Sequence, residues 1–466
     1  MENTNRPPIV AILGHVDHGK TTLLDAIRKT KVAIKEAGGI TQSIGASVAR
    51  TKEGKRITFI DTPGHAAFTK MRSRGAMVAD LAVLVVDASD GVKPQTLESL
   101  EIIKQVKIPF LVGITKIDLP AANVEGVLGQ LEKQMVLFEG RGGDTPYLPL
   151  SAKTGKGIDE LLETISLLAE VKGIKGDASS PLEAVVIETL KDKKGLLASV
   201  VVRNGTLKVG EIIYADKLEA KVRGLTDFSG EPVKEILPGE PGQILGFAEL
   251  PSIGTILSTD KNLTLSEKVE IKKKDVYRKI AKDEIPVLLK TENTGAMEAL
   301  QTSLPPKIIV VDASVGEVLG SDVLMAKSTG ARIFAFESKV STDVLKLAEA
   351  EGVKIEKFEV IYELLDRLNE LLKKGLVEIL GQAEIINSFP FNDKKIAGCR
   401  VLSGKISKGS LLILKRKEKE LGKVKAISLK KQKTEINEAK GGEEFGVLFE
   451  PQLDFNLGDM LVSVNK

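Results

Sequence analysis

Apolar positions follow two rhythms along this chain, and the changes of rhythm divide it. From residue 8 to about 172, short apolar runs such as Ile9-Val10-Ala11-Ile12-Leu13, Arg56-Ile57-Thr58-Phe59-Ile60 and Phe110-Leu111-Val112-Gly113-Ile114 alternate with amphipathic stretches. Short runs that are apolar throughout belong to strands covered on both faces, so this region predicts a parallel sheet between helices. The composition shifts over Lys172–Pro181. From Leu182 to about Thr259, short strands are broken by Asn204-Gly205, Pro238-Gly239 and Pro241-Gly242, the pattern of a small β-barrel. A charged segment, Lys268 to Lys282, reads as a partly helical linker, and residues 284–359 return to alternating strand and helix. Ile361, Leu364, Leu365, Leu368, Leu371 and Leu372 then recur at helical spacing up to Lys373-Lys374-Gly375, which predicts a connecting helix. The remainder is strand-rich, and Leu402–Gly409 echoes the hairpin signature of Arg203–Gly210, so a second barrel is expected. The fold class is therefore multidomain, α/β and β. The expected parts are 1–175 (α/β), 180–262 (β-barrel), 284–359 (α/β), 360–375 (helix) and 380–466 (β-barrel).

The first apolar run leads into Gly14-His15-Val16-Asp17-His18-Gly19-Lys20-Thr21, a phosphate-binding loop of the form G-x-x-x-x-G-K-[ST] between strand and helix. Gly14 and Gly19 let the backbone curl so that its N–H groups and the positive end of the next helix face a polyphosphate. Lys20 is expected to reach the β- and γ-phosphates, and Thr21 to hold Mg²⁺; Asp17, His18 and Thr22 complete the loop's share of the nucleotide-binding set. A second strand ends in Asp61-Thr62-Pro63-Gly64-His65, where Asp61 would act on Mg²⁺ from behind its direct ligands and the Gly64 N–H would meet a γ-phosphate. Between these motifs, Ala37 to Gly45 is Gly-rich and weakly periodic, and reads as a switch whose Thr41 adds a hydroxyl to Mg²⁺. Further strands run into Thr115-Lys116-Ile117-Asp118 and Ser151-Ala152-Lys153, which resemble the base-reading motifs of GTPases. In that reading Asp118 pairs with guanine N1 and N2, Lys116 lies along the ring and Ala152 offers its N–H to O6. Adenine has no matching donor pair. Thr115 stands where such motifs usually carry Asn, and its hydroxyl supplies only part of what the amide does, so a lower nucleotide affinity is expected.

Composition narrows the context. Among 466 residues the net charge is only +3, with 28% charged and 42% hydrophobic, so any basic surface must be local. One such excess is Lys415 to Lys433, nine Lys or Arg against two Glu, which suggests contact with an RNA backbone. A single Cys excludes an intramolecular disulfide and fits a cytoplasmic location; the N-terminus lacks a signal-peptide core, and no run approaches about 18 apolar residues, so no membrane association is expected. The absence of Trp and 4% aromatics argue against base stacking as the main mode of RNA contact. The three histidines, His15, His18 and His65, all lie in the motifs above.

A His after Asp-Thr-Pro-Gly resembles the translational GTPases, which implies that His65 is catalytic and orients the attacking water, with His15 and His18 structural. With GHVDHGKTTLLDAIRKT, EAGGITQSIGA, DTPGHAAFTKMRSRGA and, downstream, SDVLMA, IYELLD and IAGCRV, the chain resembles bacterial translation initiation factor two from residue 8 onward. The resemblance implies a GTPase using GTP/GDP and Mg²⁺, stimulated by the ribosome. It also implies a monomer whose last barrel binds formylmethionyl initiator tRNA, with the 30S and 50S ribosomal subunits as further partners. In that barrel Cys399, Gly446 and the pair Lys430-Lys431 match the family's tRNA-binding region. Phe445 replaces a usual Cys, and the two Lys replace an Arg pair, losing its bidentate fork. The family's long N-terminal region is expected to be absent, and the connection Gly375 to Gly381 is shorter than usual. The nearest alternative is a tRNA-carrying factor of the elongation factor Tu kind, against which the α/β pattern of 284–359 argues.

Overall fold

A computed structural model describes residues 6–30, 41–192, 194–216, 218–261, 284–375, 379–391, 394–416, 419–432 and 434–464. The expected switch residues Ala37 to Ile40, the charged linker Lys268 to Lys282 and the middle of the Gly375 to Gly381 connection lie outside them.

The first part is built on six strands, β1 (Ile9–Gly14), β2 (Gly45–Arg50), β3 (Arg56–Asp61), β4 (Leu81–Asp87), β5 (Phe110–Thr115) and β6 (Tyr147–Pro149). Their order is β2-β3-β1-β4-β5-β6, parallel except for β2. The intervening helices are α1 (Lys20–Arg28), α2 (Thr69–Val78), α3 (Pro94–Val106), α4 (Val124–Glu132) and α5 (Ile158–Val171). Every residue of β1 and β4 is buried, as covered central strands require. Val10, Ile12, Val83 and Val85 pack with Leu23, Leu24 and Ile27 of α1 and Leu161, Leu162 and Ile165 of α5. This leaves the functional motifs at the carboxyl ends of β1, β3 and β5 and just beyond β6, the edge where such sheets bind ligands.

The next part consists of β7 (Glu183–Asp192), β8 (Gly195–Asn204), β9 (Leu207–Lys208), β10 (Ile212–Ala215), β11 (Leu218–Lys221), β12 (Gly224–Asp227), β13 (Pro232–Val233), β14 (Glu235–Ile236), β15 (Pro241–Leu245) and β16 (Ile256–Ser258). Strands β11 and β12 lie toward opposite ends of the sheet order, yet only Val222 and Arg223 separate them in the chain. The sheet must therefore curl so that the chain can pass from β11 to β12, and the Arg223 N–H extends the β12–β15 ladder by donating to the Leu245 carbonyl at 2.8 Å. It touches the first part where Thr58 Oγ1 donates to the Gly239 carbonyl and Arg56 pairs with Glu240.

A second α/β unit follows, with β17 (Ile285–Thr291), α6 (Thr294–Ser303), β18 (Ile308–Val315), α7 (Gly320–Thr329), β19 (Arg332–Phe336), α8 (Thr342–Glu351) and β20 (Ile355–Phe358) in the sheet order β18-β17-β19-β20. After it comes α9 (Ile361–Gly375).

Contacts divide the chain into two compact units, and the second is centred on the residues from Asp366 onward. Its strands are β21 (Ile379–Phe391), β22 (Lys394–Ser407), β23 (Leu411–Arg416), β24 (Lys419–Lys431), β25 (Thr434–Ile436), β26 (Glu438–Lys440), β27 (Glu444–Glu450) and β28 (Met460–Val464). Pairing runs β21-β28-β23-β24-β27-β22 and returns to β21, a closed six-stranded barrel. Ala383, Ile385, Val401, Leu412, Val424, Val447 and Leu461 fill it. No described helix is long and apolar enough to cross a membrane.

Candidate nucleotide-binding site

The turn from β1 to α1 positions the phosphate loop. Gly19 caps α1 at φ 86, a left-handed conformation that a side chain would strain. Lys20 is buried, its Nζ donating to the His15 carbonyl at 2.6 Å, and burial lowers its pKa to about 8. Gly64 approaches so closely that a Cβ would run into Lys20 Nζ and the Val16 backbone, so only glycine fits. The Thr21 and Thr41 hydroxyls meet at 2.6 Å. Asp61, at the end of β3, is buried: its Oδ1 has no hydrogen-bond partner, and burial raises its pKa to about 6 against the opposing charges of Arg28 and Lys20. Two adjacent hydroxyls and an orphaned carboxylate oxygen are a fitting donor set for a hard divalent cation.

Val16, Asp17, Gly19, Lys20, Thr21, Thr22, Thr41, Gly64, His65 and Lys116 line one cavity of about 260 Å³. Residues far apart in sequence thus converge as a phosphate site needs. A larger cavity, about 360 Å³, lies between the β7–β8 hairpin and the ends of β17, β18 and β19, away from this set. None of the motif residues lines it.

The base-reading motifs sit beside the loop. Thr115 Oγ1 donates to the His18 carbonyl at 2.6 Å, so the hydroxyl ties β5 to the phosphate loop. Lys116 takes a φ of 58, unusual for a lysine, and its Nζ donates to the Asp17 carbonyl at 2.6 Å and pairs with Asp87 at 2.8 Å. Burial pushes the Asp87 carboxyl up, but bonds from Lys116 and Ser89 more than offset this and hold it at about 2. Ser151 Oγ donates to Asp118 at 2.7 Å, orienting that carboxylate next to Ala152 and Lys153.

The three histidines occupy distinct environments. His18 is buried, accepts from the Asp87 N–H at 3.3 Å and has its pKa lowered to about 4, first by burial and then by His15. Burial also lowers the pKa of His15. His65 Nδ1 accepts from the Ala67 N–H at 2.9 Å, which puts the ring proton on Nε2; burial and then the Arg72 charge lower its pKa. The ring meets Tyr362 of α9 edge-on at 4.1 Å.

Three neighbours of this site were not readable as such. Gln42 donates to the Glu359 carbonyl at 2.6 Å and accepts from the Ile361 N–H at 3.1 Å, so it caps α9 from across the fold. Tyr362 and Arg72 likewise owe their positions to packing, since an Arg or Tyr on a helix ordinarily reads as a solvated residue.

In the closed barrel, Gly398 pairs with Gly446 and Cys399 with Phe445 across β22 and β27, and Lys430 of β24 pairs with Gly446. Gly398, Gly446 and Lys430 therefore form one row across three strands, and Cys399 lies one position off it, opposite Phe445. Cys399 itself points into the core, where burial raises its thiol pKa, and Phe445 is buried beside it. Lys431 pairs with Glu443 at 2.8 Å. Lys423 and Lys425 of β24 are exposed, whereas Lys417 and Lys433 of the basic run lie outside the described residues.

Three family models match in succession: the elongation factor Tu GTP binding domain over residues 5–170, elongation factor G domain 2 over 181–260, and translation-initiation factor 2 over 262–369. With a phosphate loop at the edge of an α/β sheet followed by a β-barrel, they define a translational GTPase, a guanine-nucleotide-binding class. Within it, the chain belongs to the translation initiation factor IF-2 family. It is 40% identical over 490 residues to that factor of Caldanaerobacter subterraneus, covering 98% of this chain and 69% of the relative. Against the factor of Aquifex aeolicus it is 38% identical over 488 residues, covering 98% and 60%. The chain thus spans 60% to 69% of the length of these two relatives. A crystal structure of GDP-bound aIF5B from Aeropyrum pernix aligns over 99% of this chain and 92% of that one, at 28% identity and a TM-score of 0.47.

Proposed function

We propose that this chain binds GTP with Mg²⁺, recruits formylmethionyl initiator tRNA to the small (30S) ribosomal subunit, promotes joining of the 50S subunit and hydrolyses GTP when the ribosome stimulates it. The observation that carries the reading is the convergence of Lys20, Thr21, Thr41, Gly64, His65 and Lys116 on one cavity. Loop N–H groups between Gly14 and Thr22, with Lys20, hold the phosphates. Thr21 and Thr41 would hold Mg²⁺, with Asp61 behind them, and the bound ion would supply charge neutralisation for the phosphates. The Gly64 N–H donates to the γ-phosphate. Thr115, Lys116, Asp118, Ser151, Ala152 and Lys153 hold the guanine, Asp118 accepting from N1 and N2. His65, neutral because of its burial, orients the attacking water through Nε2–H once it turns from Tyr362.

The division into a GTPase part, a barrel, an α/β part, a helix and a last barrel is read as the division of labour. The last barrel takes the initiator tRNA around Gly446 and Lys430-Lys431, where the lysines meet the backbone, with Cys399 packed in the core beneath that strand region. The decisive experiment is ribosome-stimulated phosphate release together with protection of formylmethionyl-tRNA from deacylation. Release by the ribosome with selective protection of the formylated form supports the reading; equal protection of unformylated methionyl-tRNA would reject its tRNA half.

A further inference from the structure

Arg72 is a fully buried arginine in the middle of α2, and its guanidinium is committed to the Pro63-Gly64-His65 turn. Nη1 donates to the Pro63 carbonyl at 3.0 Å and to the His65 carbonyl at 2.5 Å. Nη2 donates to Thr69 Oγ1 at 3.1 Å and pairs with Glu98 of α3 at 2.8 Å. Removing a guanidinium from water is costly, and here both Nη atoms are compensated, by two backbone carbonyls on either side of Gly64, the Thr69 hydroxyl and one carboxylate, while Nε is buried without a partner. Nη1 serves the two carbonyls while Nη2 serves Thr69 and Glu98, a division that the single nitrogen of a lysine could not make in fixed directions.

The turn gives this grip a consequence for the chemistry. The Pro63 carbonyl and the Gly64 N–H belong to one planar trans peptide, so they point in opposite directions. Holding the carbonyl toward Arg72 aims the Gly64 N–H away from it, while Gly64 itself is pressed against Lys20 Nζ and the Val16 backbone. Holding the His65 carbonyl likewise fixes the peptide that follows the histidine, whose ring is already tied by the Ala67 N–H. We infer that Arg72, anchored by Glu98, is a positioning residue for GTP hydrolysis: it orients the Gly64 N–H toward the γ-phosphate and sets the backbone from which His65 addresses the water. The inference rests on the GTPase reading above and assigns it a residue that touches neither nucleotide nor water.

Affinity for GDP and for GTP, and ribosome-stimulated hydrolysis, separate this role from a merely structural one. Arg72→Lys is expected to leave the GDP Kd within about twofold, to raise the GTP Kd about tenfold as one aligned hydrogen bond to charged phosphate is lost, and to slow hydrolysis about tenfold or more. Glu98→Gln, at a partly exposed site, is expected to shift the same two quantities in the same direction by a few fold, and it carries the test if Arg72→Lys does not fold. Equal losses of GDP and GTP affinity, or an unchanged GTP-to-GDP ratio with unchanged turnover, would overturn the inference. Failure of the unsubstituted protein to bind or hydrolyse GTP would overturn the GTPase reading and the inference together, whereas a normal parent with unaffected variants overturns the inference alone.

Discussion

Thr115 places its hydroxyl 2.6 Å from the His18 carbonyl and 3.3 Å from that of Val86, so it ties the phosphate loop to the sheet without an amide. In the proposed guanine site, discrimination falls to Asp118. Two charge-assisted hydrogen bonds at about 1.5 to 3 kcal/mol each imply that Asp118→Ala weakens GTP binding roughly a hundredfold or more. Asp118→Asn is expected to shift preference toward xanthosine nucleotides, and competition binding with the two nucleotides measures it; unchanged GTP preference would reject the assignment. His65 is expected to behave differently, because a group that acts only in the transition state lowers turnover and spares affinity. His65→Ala should keep GTP binding and slow ribosome-stimulated hydrolysis at least about a hundredfold, and phosphate-release kinetics decide it.

Between elements, the junction of barrel and second α/β unit turns on one carboxylate. Glu188 of β7 accepts from the Thr189 N–H at 2.8 Å and from the Gly295 N–H of α6 at 3.2 Å, capping that helix from the neighbouring part. Its Oε2 has no partner, and burial raises its pKa to about 7. Because the folded pKa exceeds the unfolded one, the folded state holds the proton more tightly. The associated stability is full below about pH 4.5 and is lost as pH rises through 7. Glu188→Gln keeps a carbonyl acceptor and removes the titration. Thermal denaturation across pH 4.5 to 8 should show the parent losing, relative to this variant, on the order of 3 kcal/mol. Parallel curves would remove Glu188 as the source. Gln42 works in the same way on α9, since its side-chain oxygen meets the first-turn N–H that a helix leaves unsatisfied.

For the molecule as a whole, the last barrel closes on itself around its own core, so its surface can be assigned without reference to the rest. Alternation along β24 turns Val424 and Ala426 inward and Lys423 and Lys425 outward, with Lys430 and Lys431 also exposed. Phosphate contacts made by such lysines release counterions. In the full chain, Lys430→Gln with Lys431→Gln is expected to weaken initiator tRNA binding and to reduce the slope of log affinity against log salt by about one to two. A titration at several salt concentrations reads it, and an unchanged slope would show that this face does not meet the backbone.

The strands, the turns and the convergence of most candidate site residues were legible in the linear chain because they obey local rules. A strand covered on both faces must be apolar throughout, a phosphate loop needs glycine at its bends, and an acidic residue at a strand end has a fixed neighbourhood. The second α/β unit, the helix beginning at Ile361 and the strand-rich end were legible for the same reason. Other features belong to the tertiary structure alone. Arg72 became a clamp on Pro63 and His65 because α2 and α3 bring Glu98 beside it; Gln42 became a cap because Ile361, 319 positions away, arrives at its side chain. Cys399 turned inward, since in a closed barrel the pleat decides which side of a strand faces the core. Local periodicity specifies which backbone groups a segment must satisfy, and only packing decides which distant side chain satisfies them.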